Sequence, residues 1–80
     1  PIPNPTPDIF TLKFGVGEKS DLNISVYNVM GENVMEIINQ KVDKGVYNYS
    51  IDVSELQSGM YFLIYSNNNE RFVEKLLIYK

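Results

Sequence analysis

Five carboxylates, Asp43, Asp52, Glu55, Glu70 and Glu74, are the candidates for acid–base chemistry in a chain with no histidine and no cysteine. Those two absences remove Ser-His-Asp and Cys-His catalysis, His or Cys zinc sites, iron–sulfur ligation, disulfides and thiol redox chemistry. General acid–base work by a carboxylate needs a pKa tuned in a cleft. Most of these five fall in turns or at strand ends, where a charge is simply solvated, and so small a chain has little volume for a cleft. Oxygen ligands for calcium are the other ionic option, from Asp43 with Asp52 or from Asn67–Glu70. Neither pair follows an EF-hand or β-roll spacing, so turn chemistry is the expected role and no metal site is assigned.

Six tyrosines offer a second kind of chemistry, since aromatic rows bind glycans or peptides. Tyr47 and Tyr49 share one face of a strand, and such a row is more often core. Leu56, Gly59 and Tyr61 stand much as in a tyrosine corner, whose hydroxyl bonds back to an upstream backbone group at a strand crossover. Gly45-Val46-Tyr47 echoes Gly59-Met60-Tyr61, though two such starts are too little for a repeat. Asn23-Ile24-Ser25 and Asn48-Tyr49-Ser50 fit the N-glycosylation pattern, which nine asparagines produce by chance. Lys75 and Lys80 either protect an edge strand or present a terminus to a receptor by strand addition or carboxylate capture.

The elements that carry these residues follow from composition and period. Eighty residues make one small domain with a thin core. Seven basic against ten acidic residues give a net charge of −3, which argues against a nucleic-acid surface. No apolar run approaches the ~18–20 residues needed to span a bilayer. The chain has no alanine and is rich in Val, Ile, Phe and Tyr, so strands dominate. It opens at Pro1 without methionine, and the expectation is a piece of a longer polypeptide. All four prolines lie within Pro1–Pro7, read as a linker or leading edge segment, with the sandwich over residues 8–80.

Alternation places strands around Ile9–Phe14, Leu22–Tyr27, Val34–Gln40 and Tyr47–Ile51. Met30–Asn33 reads as a hairpin connection with Gly31 at positive φ, and Lys41–Gly45 as a loop. Asp52 or Ser54 caps a single helical turn that Gly59 ends. Met60–Tyr65 is apolar at successive positions, which predicts a central strand covered on both sides. Asn67–Asn69 is a turn, explained by the tolerance of Asn for the left-handed region. Arg71–Tyr79 is the last strand, with a bulge near Glu74–Lys75. Six strands are clear, with room for a short seventh near the N-terminus or at Val16–Ser20. Short strands joined by turns predict an antiparallel β-sandwich rather than a parallel sheet.

In order, these segments resemble the C-terminal sorting domain (type A) of cargo proteins of the type IX secretion system in Bacteroidetes. Pro3-Asn4-Pro5 looks like that family's leading motif, and Ser25 to Val34, with Gly31, like its strand–turn–strand block. Gly45-Val46-Tyr47 followed by Ile51 to Phe62, with Asp52, Leu56, Gly59, Tyr61 and Phe62, resembles its most recognisable stretch. Lys75-Leu76-Leu77-Ile78-Tyr79-Lys80 resembles its lysine-flanked ending. Ile2 stands where an aromatic residue often precedes the first motif, Pro7-Asp8 replaces a small or glycine pair, and Tyr79 is extra.

The resemblance implies an all-β, immunoglobulin-like antiparallel sandwich of about seven strands. It implies a non-catalytic address that directs a covalently linked N-terminal cargo from the periplasm across the outer membrane, to the cell surface or the medium. The implied partners are the type IX translocon, an outer-membrane barrel shuttle and a sortase-like peptidase that removes the domain and attaches the cargo to the surface. No cofactor and no nucleic acid are implied. Lys75 to Lys80 are the residues expected to be read directly, whereas Gly59 and Tyr61 build the fold. Removing Leu77–Lys80 is then expected to abolish export and leave the cargo folded. The competing reading is an immunoglobulin-like or fibronectin-like accessory module, a spacer or glycan binder, of a surface protein.

Overall fold

The computed structural model describes residues 8–79, so the Pro1–Pro7 segment, with Pro3, Asn4 and Pro5, and Lys80 lie outside the described residues. Six strands follow one another: β1 (Ile9–Val16), β2 (Ser20–Asn28), β3 (Asn33–Val42), β4 (Gly45–Asp52), β5 (Gly59–Ser66) and β6 (Arg71–Ile78). Every pairing is antiparallel. A small sheet holds β1 and β4, and a larger one has the order β3-β2-β5-β6. The two form the expected antiparallel sandwich. Among the described residues there are six strands rather than seven, because Val16 closes β1 and Ser20 already opens β2.

The core lies where the inward residues of both sheets meet. Phe10 and Ile51 from the small sheet join Leu22, Ile24, Val26, Leu63, Leu76 and Ile78 from the large one, and Val53 seals the end. Full burial of each such side chain contributes about 1.5–3 kcal/mol, so removing any one of them is felt across a thin core. On β2, Leu22, Ile24 and Val26 are each no more than 2% exposed, and Ser25 between them is buried on the other face. This strand is the centre of the molecule, paired with β3 on one side and β5 on the other.

Five local readings change, one being that β5, expected to be covered on both sides, has a single face against the other sheet among the described residues. Lys41 and Val42 belong to β3, because Val42 is buried opposite Ser20, and the connection to β4 shrinks to Asp43-Lys44. The segment after Asp52 is a turn rather than a helix: Leu56 N–H donates to Val53 O (3.0 Å), and the Asp52 carboxylate accepts from Ser54 N–H (2.9 Å). At Asn67–Glu70 no residue takes positive φ. Instead the Asn67 side-chain oxygen accepts from the N–H groups of Asn69 and Glu70, both at 2.9 Å. Its value there is as a local acceptor.

The fifth change concerns bulges. β6 keeps continuous register with β5 from Arg71–Ser66 to Ile78–Gly59. The irregularities sit between β2 and β3, at Ile24/Ser25 and Val26/Tyr27. Glu74 occupies an inward position of β6 without a bulge because, with Phe72, it lines an open cleft beside β1 and stays in contact with solvent.

Gly31 fulfils its expected role. It takes φ +85° in the β2–β3 hairpin, where a side chain would be strained. Asn28 frames the same turn: its side-chain oxygen accepts from Met30 and Glu32 N–H, and its amide donates to the Glu32 carboxylate at 2.7 Å.

Candidate functional site

The last strand divides its own residues. Leu76 and Ile78 are 0% and 1% exposed and pack into the core opposite Tyr61 and Gly59. Lys75, Leu77 and Tyr79 lie on the alternate positions and are exposed, Tyr79 by 67%. This is period-2 geometry at a sheet margin: one set of side chains fastens the strand, the other faces outward. Of the six residues expected to be read directly, the described structure therefore offers Lys75, Leu77 and Tyr79 to a partner and gives Leu76 and Ile78 to the fold.

Two tyrosines fix the approach to the strands behind it. The Tyr61 hydroxyl donates to Gln57 O at 2.8 Å, four residues upstream, and its ring is nearly buried. This is the tyrosine corner read from the sequence, and it locks the crossover from the small sheet to β5. Gly59 beneath it takes φ +156°, and a Cβ there would lie 3.9 Å from the Tyr61 ring. Tyr47 repeats the device at the start of β4. Its hydroxyl donates to Asp43 O, again four residues upstream, and its ring lies over Gly45. The Gly-x-Tyr echo is thus a shared local geometry used at two strand entrances. Leu56 packs against the core from the turn ahead of Gly59.

Tyr47 and Tyr49 stack on Phe14, with ring centroids 5.6 and 5.7 Å away, and Tyr65 meets Phe14 edge-on at 5.6 Å. The row is core-associated, as its strand face predicts. Phe14, Tyr65 and Phe72 then line a cleft of about 310 Å³ between β1 and β6.

The carboxylates are dispersed. Asp43 precedes β4 and Asp52 ends it, so an eight-residue strand keeps them about 25 Å apart. Asp43 faces Lys19 at 3.9 Å on the surface. The Asn67 oxygen that a cation would need already accepts two backbone N–H groups. Glu70 and Glu74 share the rim of the aromatic cleft. Among the described residues no group of three or more His, Cys, Asp or Glu is placed to hold a metal ion.

The outward face of the large sheet was not legible as a site. Tyr27, Phe62, Ile64 and Val73 line a depression of about 530 Å³ there, together with Asn23, Asn28, Ser66 and Arg71. Phe62 had been assigned to the family motif. Ile64 is signalled by the doubly apolar pattern of β5, whereas Tyr27, Val73 and Arg71 join it only through the pairing of β2 and β6 with that strand.

Such an arrangement defines a small sandwich module whose final strand is anchored by one face and displayed by the other. Its family is shown by comparison: the family model described as a secretion system C-terminal sorting domain matches residues 2–79, and the chain belongs to that family. No curated protein and no solved structure matches the chain. The domain is a sorting signal of the type IX secretion system, engages that machinery, and marks its parent for the cell surface or for secretion. Domains of this kind are typically non-catalytic, and membership favours an address over the spacer or glycan-binding reading.

Proposed function

We propose that the secretion machinery reads this domain through the displayed half of its last strand, Lys75, Leu77 and Tyr79, continuing into Lys80. The partner is an outer-membrane barrel shuttle that receives the domain after passage through the periplasm. A sortase-like peptidase then separates domain from cargo and joins the cargo to the surface. The observation that carries this reading is the division of β6. Leu76 and Ile78 fasten the strand in the core, while Lys75, Leu77 and Tyr79 stand on exposed positions where a partner can reach them. The domain acts as substrate and handle, and the chemistry belongs to its partners.

Deleting Leu77–Lys80 would also remove Ile78 from the core, so substitution is the cleaner test. The triple change Lys75→Ser, Leu77→Ser and Tyr79→Ser, in a fusion of this chain to a fluorescent protein bearing a signal peptide, is expected to leave the fusion folded and in the periplasm. Surface signal equal to that of the unaltered fusion would sink the proposal.

A further inference from the structure

We propose that the outward face of the β2-β5-β6 sheet is a docking surface for an apolar protein surface edged by carboxylates, on the same machinery that reads β6. The inference rests on the address reading above and extends the contact from one strand to a face. β5 is apolar on both sides. Tyr61 and Leu63 face the core, while Phe62 and Ile64 face out, and among the described residues no other strand covers them. Register sets Phe62 beside Tyr27 on one neighbour, and Ile64 beside Val73 on the other. Together they surround the 530 Å³ depression, and Val73 remains 54% exposed. A contiguous apolar patch of this kind on a small soluble module marks a contact surface.

Charge identifies the occupant. Lys75 stands opposite Phe62, and Arg71 borders the depression beside Val73. From Asn23 to Tyr27 on β2, and along β5 and β6, no outward position carries a carboxylate. Carboxylates stand on its β2–β3 side: Glu32 accepts from the Asn28 amide at 2.7 Å, Glu36 lies across from Ser25, and Asp21 faces Lys41 at 3.9 Å. A chain of net charge −3 thus keeps the β6 side of an apolar face cationic. Two copies, each of net charge −3, repel one another, which disfavours a second copy as the occupant. An anionic bilayer is normally held by clusters of about four to eight Lys and Arg, and two cations around a concavity do not form one. An apolar protrusion flanked by Asp or Glu fits both the shape and the charge.

The test uses the full chain fused to the fluorescent protein in a host with an intact type IX system. Arg71→Glu is expected to lower surface signal by about tenfold or more, and Arg71→Gln by less. Asn48→Glu with Ser50→Glu, on the outward face of the small sheet, is expected to change nothing. Val73→Ser, an exposed position that folding tolerates, is expected to reduce export while the thermal midpoint of the purified chain holds. Normal export of both the charge-reversed and the Val73→Ser fusions would overturn the inference and leave the address reading standing. Failure of the unaltered fusion to leave the periplasm would overturn both. A photo-crosslinker at position 73 that yields an adduct of twice the chain's mass would assign the face to a second copy. Binding of the purified chain to phosphatidylglycerol vesicles, lost on charge reversal, would assign it to lipid. Either result would overturn the inference.

Discussion

The two sheets have similar inner faces and opposite outer ones. On the small sheet, Thr11 pairs with Ser50 and Lys13 with Asn48, so the middle of its outward face is polar, and the exposed apolar residues Ile9 and Val46 sit at the ends. On the large sheet, two adjacent apolar pairs, Tyr27 with Phe62 and Ile64 with Val73, occupy the outward face, with Lys75 and Ser25 completing their rows. Both inner faces are needed to bury one core, so their apolarity is explained by folding alone. The outer faces are free to differ. A half-buried strand reads as alternating apolar and polar residues, as β4 does with Tyr47, Tyr49 and Ile51 against Asn48, Ser50 and Asp52. β5 departs from that rule, and folding does not require the departure. The proposed docking face accounts for that departure.

The tyrosine corners differ in the same direction. Tyr61, at the entrance to the large sheet, is 9% exposed and closes over a glycine at φ +156°. Tyr47, at the entrance to the small sheet, is half-buried, and Gly45 beneath it has only ordinary contacts, the nearest at 3.8 Å. The same device is therefore fixed more firmly where the displayed face has to be held.

The comparison breaks most visibly if inward and outward residues of the large sheet prove equally structural. Leu76→Ala is expected to cost about 2–5 kcal/mol in denaturant unfolding, whereas Val73→Ala, one sheet face away, is expected to cost under about 1 kcal/mol. Equal costs would mean that the outer face is part of the core. Next in size is the glycine pair. Gly59→Ala forces a side chain into a conformation that only glycine adopts readily, at a cost of about 1–3 kcal/mol. Gly45→Ala meets no clash and is expected to be neutral or stabilising by about 0.4–1 kcal/mol. The hydroxyls come third: Tyr61→Phe is expected to lose about 1 kcal/mol and Tyr47→Phe less, since water replaces the lost partner at the more exposed corner. Smallest is the surface pair Lys41–Asp21, where Lys41→Ala is expected to shift stability by no more than about 0.5 kcal/mol. A larger shift in thermal melting would give that strand edge a role beyond solubility.

The fold was largely legible because its strongest signals are local. The alternation of Leu22, Ile24 and Val26, the Gly31 hairpin and the Gly-x-Tyr spacing each specify their own geometry within a few residues. The readings that moved depend on what lies across the sheet. Val42 is a strand residue because Ser20 faces it, and the bulges fall at Ser25 and Tyr27 because β3 pairs there out of step. Glu74 suggested a bulge because its inward position looked incompatible with a core, but the small sheet leaves that position open to the cleft. The same limit applied to the site. Sequence marked Lys75 to Lys80 as a block, and only the pairing with β5 separates Leu76 and Ile78, which hold, from Lys75, Leu77 and Tyr79, which show. The apolar outer side of β5 is visible in the sequence, but a doubly apolar strand is usually covered, and only the sheet order leaves this one with an open face.

The central claim is that export is read from the displayed residues of the last strand rather than from the stability of the domain. The most direct measurement places two fusions side by side in hosts with and without an intact type IX system. One is the unaltered chain, and the other carries Lys75→Ser, Leu77→Ser and Tyr79→Ser. The account predicts surface or medium fluorescence only for the unaltered fusion in the intact host, with both purified chains melting within a few degrees of each other. Equal export of the two fusions would contradict it.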